Sequence, residues 1–72
     1  MDKYELFSRQ PQYFLHPYED CAIRTHPTGD GWIVYARYHG GSEYMPLQSG
    51  HLVTDAFLQP GKALTRKEYY SF

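Results

Sequence analysis

Between residues 21 and 47, apolar and polar positions alternate in three runs, 21–26, 32–38 and 43–47. Thr28-Gly29-Asp30-Gly31 and Gly40-Gly41 separate them. Alternation marks half-buried strands, and Gly-Asp and Gly-Gly reach the positive φ that tight hairpin loops need. The pattern predicts an antiparallel meander. Trp32-Ile33-Val34-Tyr35-Ala36-Arg37-Tyr38 is richest in β-branched and aromatic residues and is expected at its centre. Pro46 cannot donate to a ladder, which places the third strand at an edge.

Register follows from the loops. A two-residue Gly29-Asp30 loop sets Ile23 against Ala36, Arg24 against Tyr35 and Thr25 against Val34. Moving the loop to Asp30-Gly31 would oppose Arg24 to Arg37, a like-charge pair that disfavours the alternative. A Gly40-Gly41 loop then sets Ala36 against Met45, Val34 against Leu47 and Arg37 against Tyr44. The two hairpins agree on a partition. Cys21, Ile23, Trp32, Val34, Ala36, Met45 and Leu47 share an apolar face, with Tyr38 at its margin. Arg24, His26, Ile33, Tyr35, Arg37 and Tyr44 share the other.

The flanks supply covering elements. Asp2 with Glu5 has helix-start chemistry, and Pro11 stops that helix. Residues 11–19, with two prolines, read as extended and are a candidate cover for the second sheet face. Leu52, Val53, Ala56 and Phe57 recur with helical spacing, although Leu52, Thr54, Ala56 and Leu58 also alternate, so 51–59 fits helix or strand. Thr65-Arg66-Lys67-Glu68 is a capping box opening a last short helix. An apolar sheet face must be covered. The expected fold is α+β: a small three-stranded antiparallel β-meander with short N- and C-terminal helices packed on one face. The 72 residues, 1–72, are read as a single domain.

Composition narrows the chemistry. Seven Lys or Arg balance eight Asp or Glu, so the chain lacks the basic excess usual in nucleic-acid binders. A single cysteine, Cys21, excludes an intrachain disulfide and points to a reducing, cytoplasmic setting. No apolar run is long enough to span a bilayer, and the charged start does not resemble a signal peptide, so no membrane partner is expected. His16, His26, His39 and His51 stand ten or more residues apart, without the close pairing typical of metal sites. Cys21 falls on the apolar face beside Glu19 and Asp20, which would raise its pKa rather than activate it. No nucleophile elbow or phosphate-cradling glycine motif is present. Neither catalysis nor a cofactor is expected.

Eight tyrosines remain to be explained. Tyrosine is a rigid apolar plate with a polar tip, equally suited to filling a small core and to anchoring a contact. Tyr35 and Tyr44, set among Arg24 and Arg37 with His26 and Ile33, form the candidate binding face, because Tyr and Arg are enriched at binding hot spots. The plain structural alternative is that cross-strand Tyr–Arg pairs stabilise an exposed sheet. The sequence points to a non-enzymatic module that binds a larger protein, an inhibitor or regulator acting by steric occlusion. Short chains without catalytic groups are common among accessory proteins of phages and mobile elements, an association rather than a chemical deduction. Homodimerisation through the 43–47 edge strand is a second route. Single-stranded nucleic acid stacked on the same Tyr/Arg face is the alternative partner.

Overall fold

A computed structural model describes residues 2–72. The order is α1 (Lys3–Arg9), β1 (Gln12–Leu15), β2 (Cys21–Pro27), β3 (Trp32–Tyr38), α2 (His51–Leu58) and α3 (Arg66–Tyr70). The strands form one antiparallel sheet in the order β1-β2-β3, so β2 rather than Trp32–Tyr38 is central. The β2–β3 register is the expected one: Ile23 opposes Ala36, Arg24 opposes Tyr35 and Thr25 opposes Val34.

The third strand lies elsewhere than expected. It is β1, from the segment read as extended, which pairs Tyr13 with Arg24 and Phe14 with Ile23. Residues 43–47 form no strand and make a single bridge, Tyr44 to Ala36. The cause is the turn. Gly40 takes φ +69 and the Gly41 N–H closes on Tyr38 O at 2.9 Å. His39-Gly40, not Gly40-Gly41, therefore occupies the corner, and glycine provides the left-handed residue that the turn requires. The expected Ala36–Met45 pairing becomes Ala36–Tyr44, a slip of one residue. Such a slip sends every side chain to the opposite face. Met45 and Leu47, expected in the core, are exposed. Without a strand at 43–47, the strand-paired homodimer loses the element it was to use.

Both sheet edges are closed by short irregular segments. Along β1, the Leu15 N–H donates to Lys62 O and the Leu64 N–H to Tyr13 O, each at 2.8 Å. These bonds flank the Phe14–Ala63 bridge. Gly61 makes the approach possible, because a Cβ there would collide with Leu15 O. Along β3, Ala36 and Tyr44 exchange both backbone bonds, at 2.9 and 2.8 Å. The Gln48 amide then imitates a further peptide group. Its Oε1 accepts the Val34 N–H at 3.2 Å and its Nε2 donates to Val34 O at 3.1 Å. Capping an edge in this way removes a template for strand addition.

Helices cover both faces, not one. α1 and α2 close the apolar face, where Phe7, Phe14, Cys21, Ile23, Val34, Ala36, Leu52 and Ala56 pack together. Phe7 is the hinge of this layer, with ring centroids 5.1 Å from Trp32 and 5.5 Å from Phe57. α2 settles residues 51–58 as helix. α1 is capped by Asp2, which accepts the Glu5 N–H at 2.8 Å. α3 carries the expected capping box: Thr65 Oγ1 accepts the Glu68 N–H at 3.1 Å, and Glu68 accepts the Thr65 N–H at 2.8 Å. α3 lies on the Tyr/Arg face, the side expected to be open. Its Tyr69 is fully buried, with its ring centroid 5.5 Å from that of Tyr13. Residues 11–19 do not provide that cover, since 12–15 extend the sheet instead. No helix among the described residues is long and apolar enough to cross a membrane.

Candidate functional site

The six sequence-selected residues divide. Arg24, Tyr35 and Arg37 alternate along β2 and β3 on one face, as expected from the register. Arg24 does not present its charge outward. Its Nε and Nη2 donate to the two carboxylate oxygens of Glu43 at 2.8 Å and 3.0 Å, a bidentate pair with fixed geometry. The guanidinium also lies over the Tyr35 ring, 4.3 Å from its centroid. Tyr69 Oη donates to the same Glu43 carboxylate at 2.6 Å. Arg24 therefore holds the Glu43 carboxyl below the ordinary value, with Tyr69 acting in the same direction and burial opposing. The pairing raises the Arg24 pKa in turn. Burial and the Glu43 bond push the Tyr69 phenol up.

Arg37 is held under α3. Its Nη2 donates to Gly41 O at 3.2 Å, and its guanidinium lies 5.7 and 6.0 Å from the Tyr69 and Tyr70 ring centroids. Ile33 and Tyr35 are half-buried, while His26, its Nδ1 3.3 Å from Arg24 Nη1, and Tyr44 are exposed. Tyr44, moved by the slip, joins the opposite side and stacks on Tyr38. Their rings are 6.0 Å apart and within 5° of parallel. The structure thus brings Arg24, Tyr35 and Arg37 into one network and leaves Tyr44 out of it.

A second cluster, which the sequence reading missed, surrounds Tyr38 and Tyr44. Tyr38 Oη donates to Glu19 Oε2 at 3.2 Å. Contact with Tyr44, burial and Glu19 together push the Tyr38 phenol above its ordinary range. Glu19 Oε1 lies 2.9 Å from His51 Nε2 at the start of α2. The hydrogen bond from His51, followed by that from Tyr38, outweighs burial and holds the Glu19 carboxyl below its usual value. His51 in turn borders a shallow depression of about 230 Å³ with Pro46, Leu47, Gly50 and Leu52. On the other side of Tyr38, His39 Nε2 sits 3.0 Å from Asp20 Oδ1.

The base of this cluster is built by His16. Its side chain is buried and its Nδ1 accepts the Tyr18 and Glu19 N–H groups, both at 3.1 Å. These two donors fix Nδ1 as an acceptor, so Nε2 carries the proton facing Asp55 Oδ2 at 3.0 Å. Both ring nitrogens are thereby committed to tying the 16–20 loop to α2. Cys21 is fully buried. Burial, with Glu19 and Asp20 adding to it, pushes its thiol up to about 11, the reverse of what a nucleophilic thiolate needs. Among the described residues, no group of three or more His, Cys, Asp or Glu is arranged to hold a metal ion.

The signal that would have revealed Glu43 was electrostatic. Two arginines on one face of a near-neutral chain call for a carboxylate, and the slipped register places Glu43 opposite Arg37 and within reach of Arg24. Tyr38 and Tyr44 carried no such marker, because their separation in sequence gives no hint that they stack. Comparison with protein-family models, curated proteins and solved structures finds no match to this chain.

Proposed function

We propose that the protein is a small, non-enzymatic protein-binding module of a reducing, cytoplasmic setting, an inhibitor or regulator that covers part of a larger partner. The observation that carries this reading is a strip of chain, from the end of β3 to residue 47, that leaves large apolar side chains in solvent. Tyr38 is 43 % exposed, Tyr44 38 %, Met45 54 % and Leu47 76 %. A domain this small has few large apolar residues to spare from its core, and several of them exposed within one short stretch of chain mark a contact site. The sequestered thiol of Cys21 and the committed nitrogens of His16 support a non-enzymatic role, since each is unavailable as nucleophile or base. The contact surface is accordingly assigned to Tyr38, Tyr44, Met45 and Leu47, with Arg24, Tyr35 and Arg37 supporting the fold beneath α3.

The test is site-specific photocrosslinking in the cells the protein comes from. A photoreactive phenylalanine at Leu47 is expected to give one discrete protein adduct, and the same group at Gln59 none. Tyr44→Ala combined with Leu47→Ser should abolish capture by a photoreactive group placed at Met45, with a cooperative unfolding transition retained. Equal labelling at 47 and 59, or no protein adduct at 47, would sink the proposal. The nucleic-acid alternative now rests on the outer face of α3, where Arg66, Lys67, Tyr70 and Ser71 line an open depression of about 540 Å³. It predicts oligonucleotide affinity that falls steeply with salt and is lost in Arg66→Gln/Lys67→Gln.

A further inference from the structure

Four aromatic rings of this protein carry a cation from the same chain. Lys3 lies over Phe57, Arg24 over Tyr35, Arg37 over Tyr69, and both Arg37 and Arg66 over Tyr70. Among the described residues, no Lys or Arg lies over Tyr38 or Tyr44, although both rings are exposed and nearly parallel. Their surroundings are of the opposite sign. Glu19 touches the Tyr38 hydroxyl, and Asp20, in the loop after it, pairs with His39 next along the chain from Tyr38. Both carboxylates are hydrogen-bonded to imidazoles, and among the described residues neither pairs with a guanidinium or ammonium group.

From this complementarity we infer that the surface receives an arginine of the protein partner, with an aliphatic residue beside it seated in the depression under Leu47. The inference rests on the protein-binding reading and specifies its partner. The outward face of a ring in this stacked pair is electron-rich and attracts a cation, and a planar guanidinium can lie flat on it. Its N–H groups then project in the ring plane toward the hydroxyl edge, where the Glu19 carboxylate already stands. An ammonium is a compact point charge and cannot stack and fork at once, so arginine is favoured over lysine. The depression walled by Pro46, Leu47 and Leu52 offers apolar surface within one residue's reach of His51 and Glu19.

The test is a titration of the ¹⁵N-labelled protein with the peptide acetyl-Gly-Arg-Leu-Gly-amide, followed by two-dimensional amide spectra. The control peptide carries citrulline, which keeps the planar shape of arginine and removes its charge. The arginine peptide is expected to shift the amides of Glu19, Tyr38, Tyr44 and Leu47 saturably, and citrulline to bind about tenfold more weakly. Asp20→Asn and Tyr38→Leu should each weaken the arginine peptide several-fold. Asp20 is exposed, so its variant keeps the test valid if Tyr38→Leu fails to fold. Equal binding of the two peptides, shifts centred on Tyr35 or α3, or no shifts at millimolar peptide would overturn the inference. If Leu47 crosslinks to a protein while citrulline binds as well as arginine, the arginine site is wrong and the module reading stands. If the arginine peptide binds as described but Leu47 captures no protein, the module reading fails instead.

Discussion

The two faces of the sheet are closed by opposite chemistries. Under α1 and α2 lies an apolar layer built on Phe7, Phe14, Ile23, Val34 and Leu52. Under α3 lies a charged and aromatic layer in which Arg24, Glu43 and Tyr69 share one carboxylate. The first layer gains from area removed from water and is indifferent to direction. The second depends on a few bonds whose partners must all be present. Losing a methyl from the apolar layer costs in proportion to the cavity left behind. Losing Glu43 leaves a guanidinium with little solvent and no counter-ion. A chain too small for two dry cores can still bury both faces of its sheet if one face is satisfied by hydrogen bonds.

This contrast can be broken by experiment. The largest effect is expected from Ile23→Ala, which truncates a fully buried side chain and should cost about 3 kcal/mol. That is most of the margin of a domain this size, so the cooperative thermal transition should be lost or fall below physiological temperature.

Next comes Glu43→Ala, at about 2–3 kcal/mol in urea unfolding, somewhat less than a fully buried pair because Arg24 and Glu43 keep some exposure. Its pH dependence has a definite sign. The Glu43 carboxyl is depressed in the fold, so its contribution is complete above the ordinary glutamate range. It is lost as pH falls from there through the lowered folded value. Glu43→Gln should make the loss of stability over that acidic window shallower, the remaining slope coming from the depressed Glu19 and Glu68, and leave the rest of the profile unchanged.

Tyr69→Phe should cost about 1.5 kcal/mol, the loss of one bond to a charged acceptor with the ring retained. The smallest effect is reserved for the exposed strip. Tyr44→Ala with Leu47→Ser should stay within about 1 kcal/mol of the parent, the stacking of Tyr44 on Tyr38 being most of that cost. If Glu43→Ala cost no more than this surface double variant, α3 would be a passive lid and the charged layer would contribute nothing to stability.

The parts of the fold that were legible in the sequence are those fixed by short-range rules. The β2–β3 register followed from one glycine loop and one like-charge exclusion. The Thr65–Glu68 capping box followed from residue types three apart, and the inward position of Cys21 from strand alternation. The second hairpin escaped because two adjacent glycines permit more than one corner. The same charge test that settled the first hairpin would have chosen correctly here, since Glu43 opposite Arg37 is preferable to Tyr44 opposite Arg37. β1 was missed as a strand because Gln12–Leu15 is too brief to show a period. α3 was placed on the wrong face because the bond that holds it, Tyr69 to Glu43, links residues 26 apart. The face first selected for binding is half-buried, with His26 exposed on it. Its tyrosines and arginines had the right chemistry for a contact, and the fold uses that chemistry on itself.

The closure of the β1 edge by residues 62–64 has a consequence for the nascent chain. As the polypeptide leaves the ribosome, Gln12–Leu15 emerges well before residues 62–64, its hydrogen-bonding partner along that edge. Until residues 62–64 follow, that edge is bare, with Tyr13 and Phe14 beside it. The short segment after Pro60 therefore acts as the protein's own late-arriving guard against pairing with neighbouring chains.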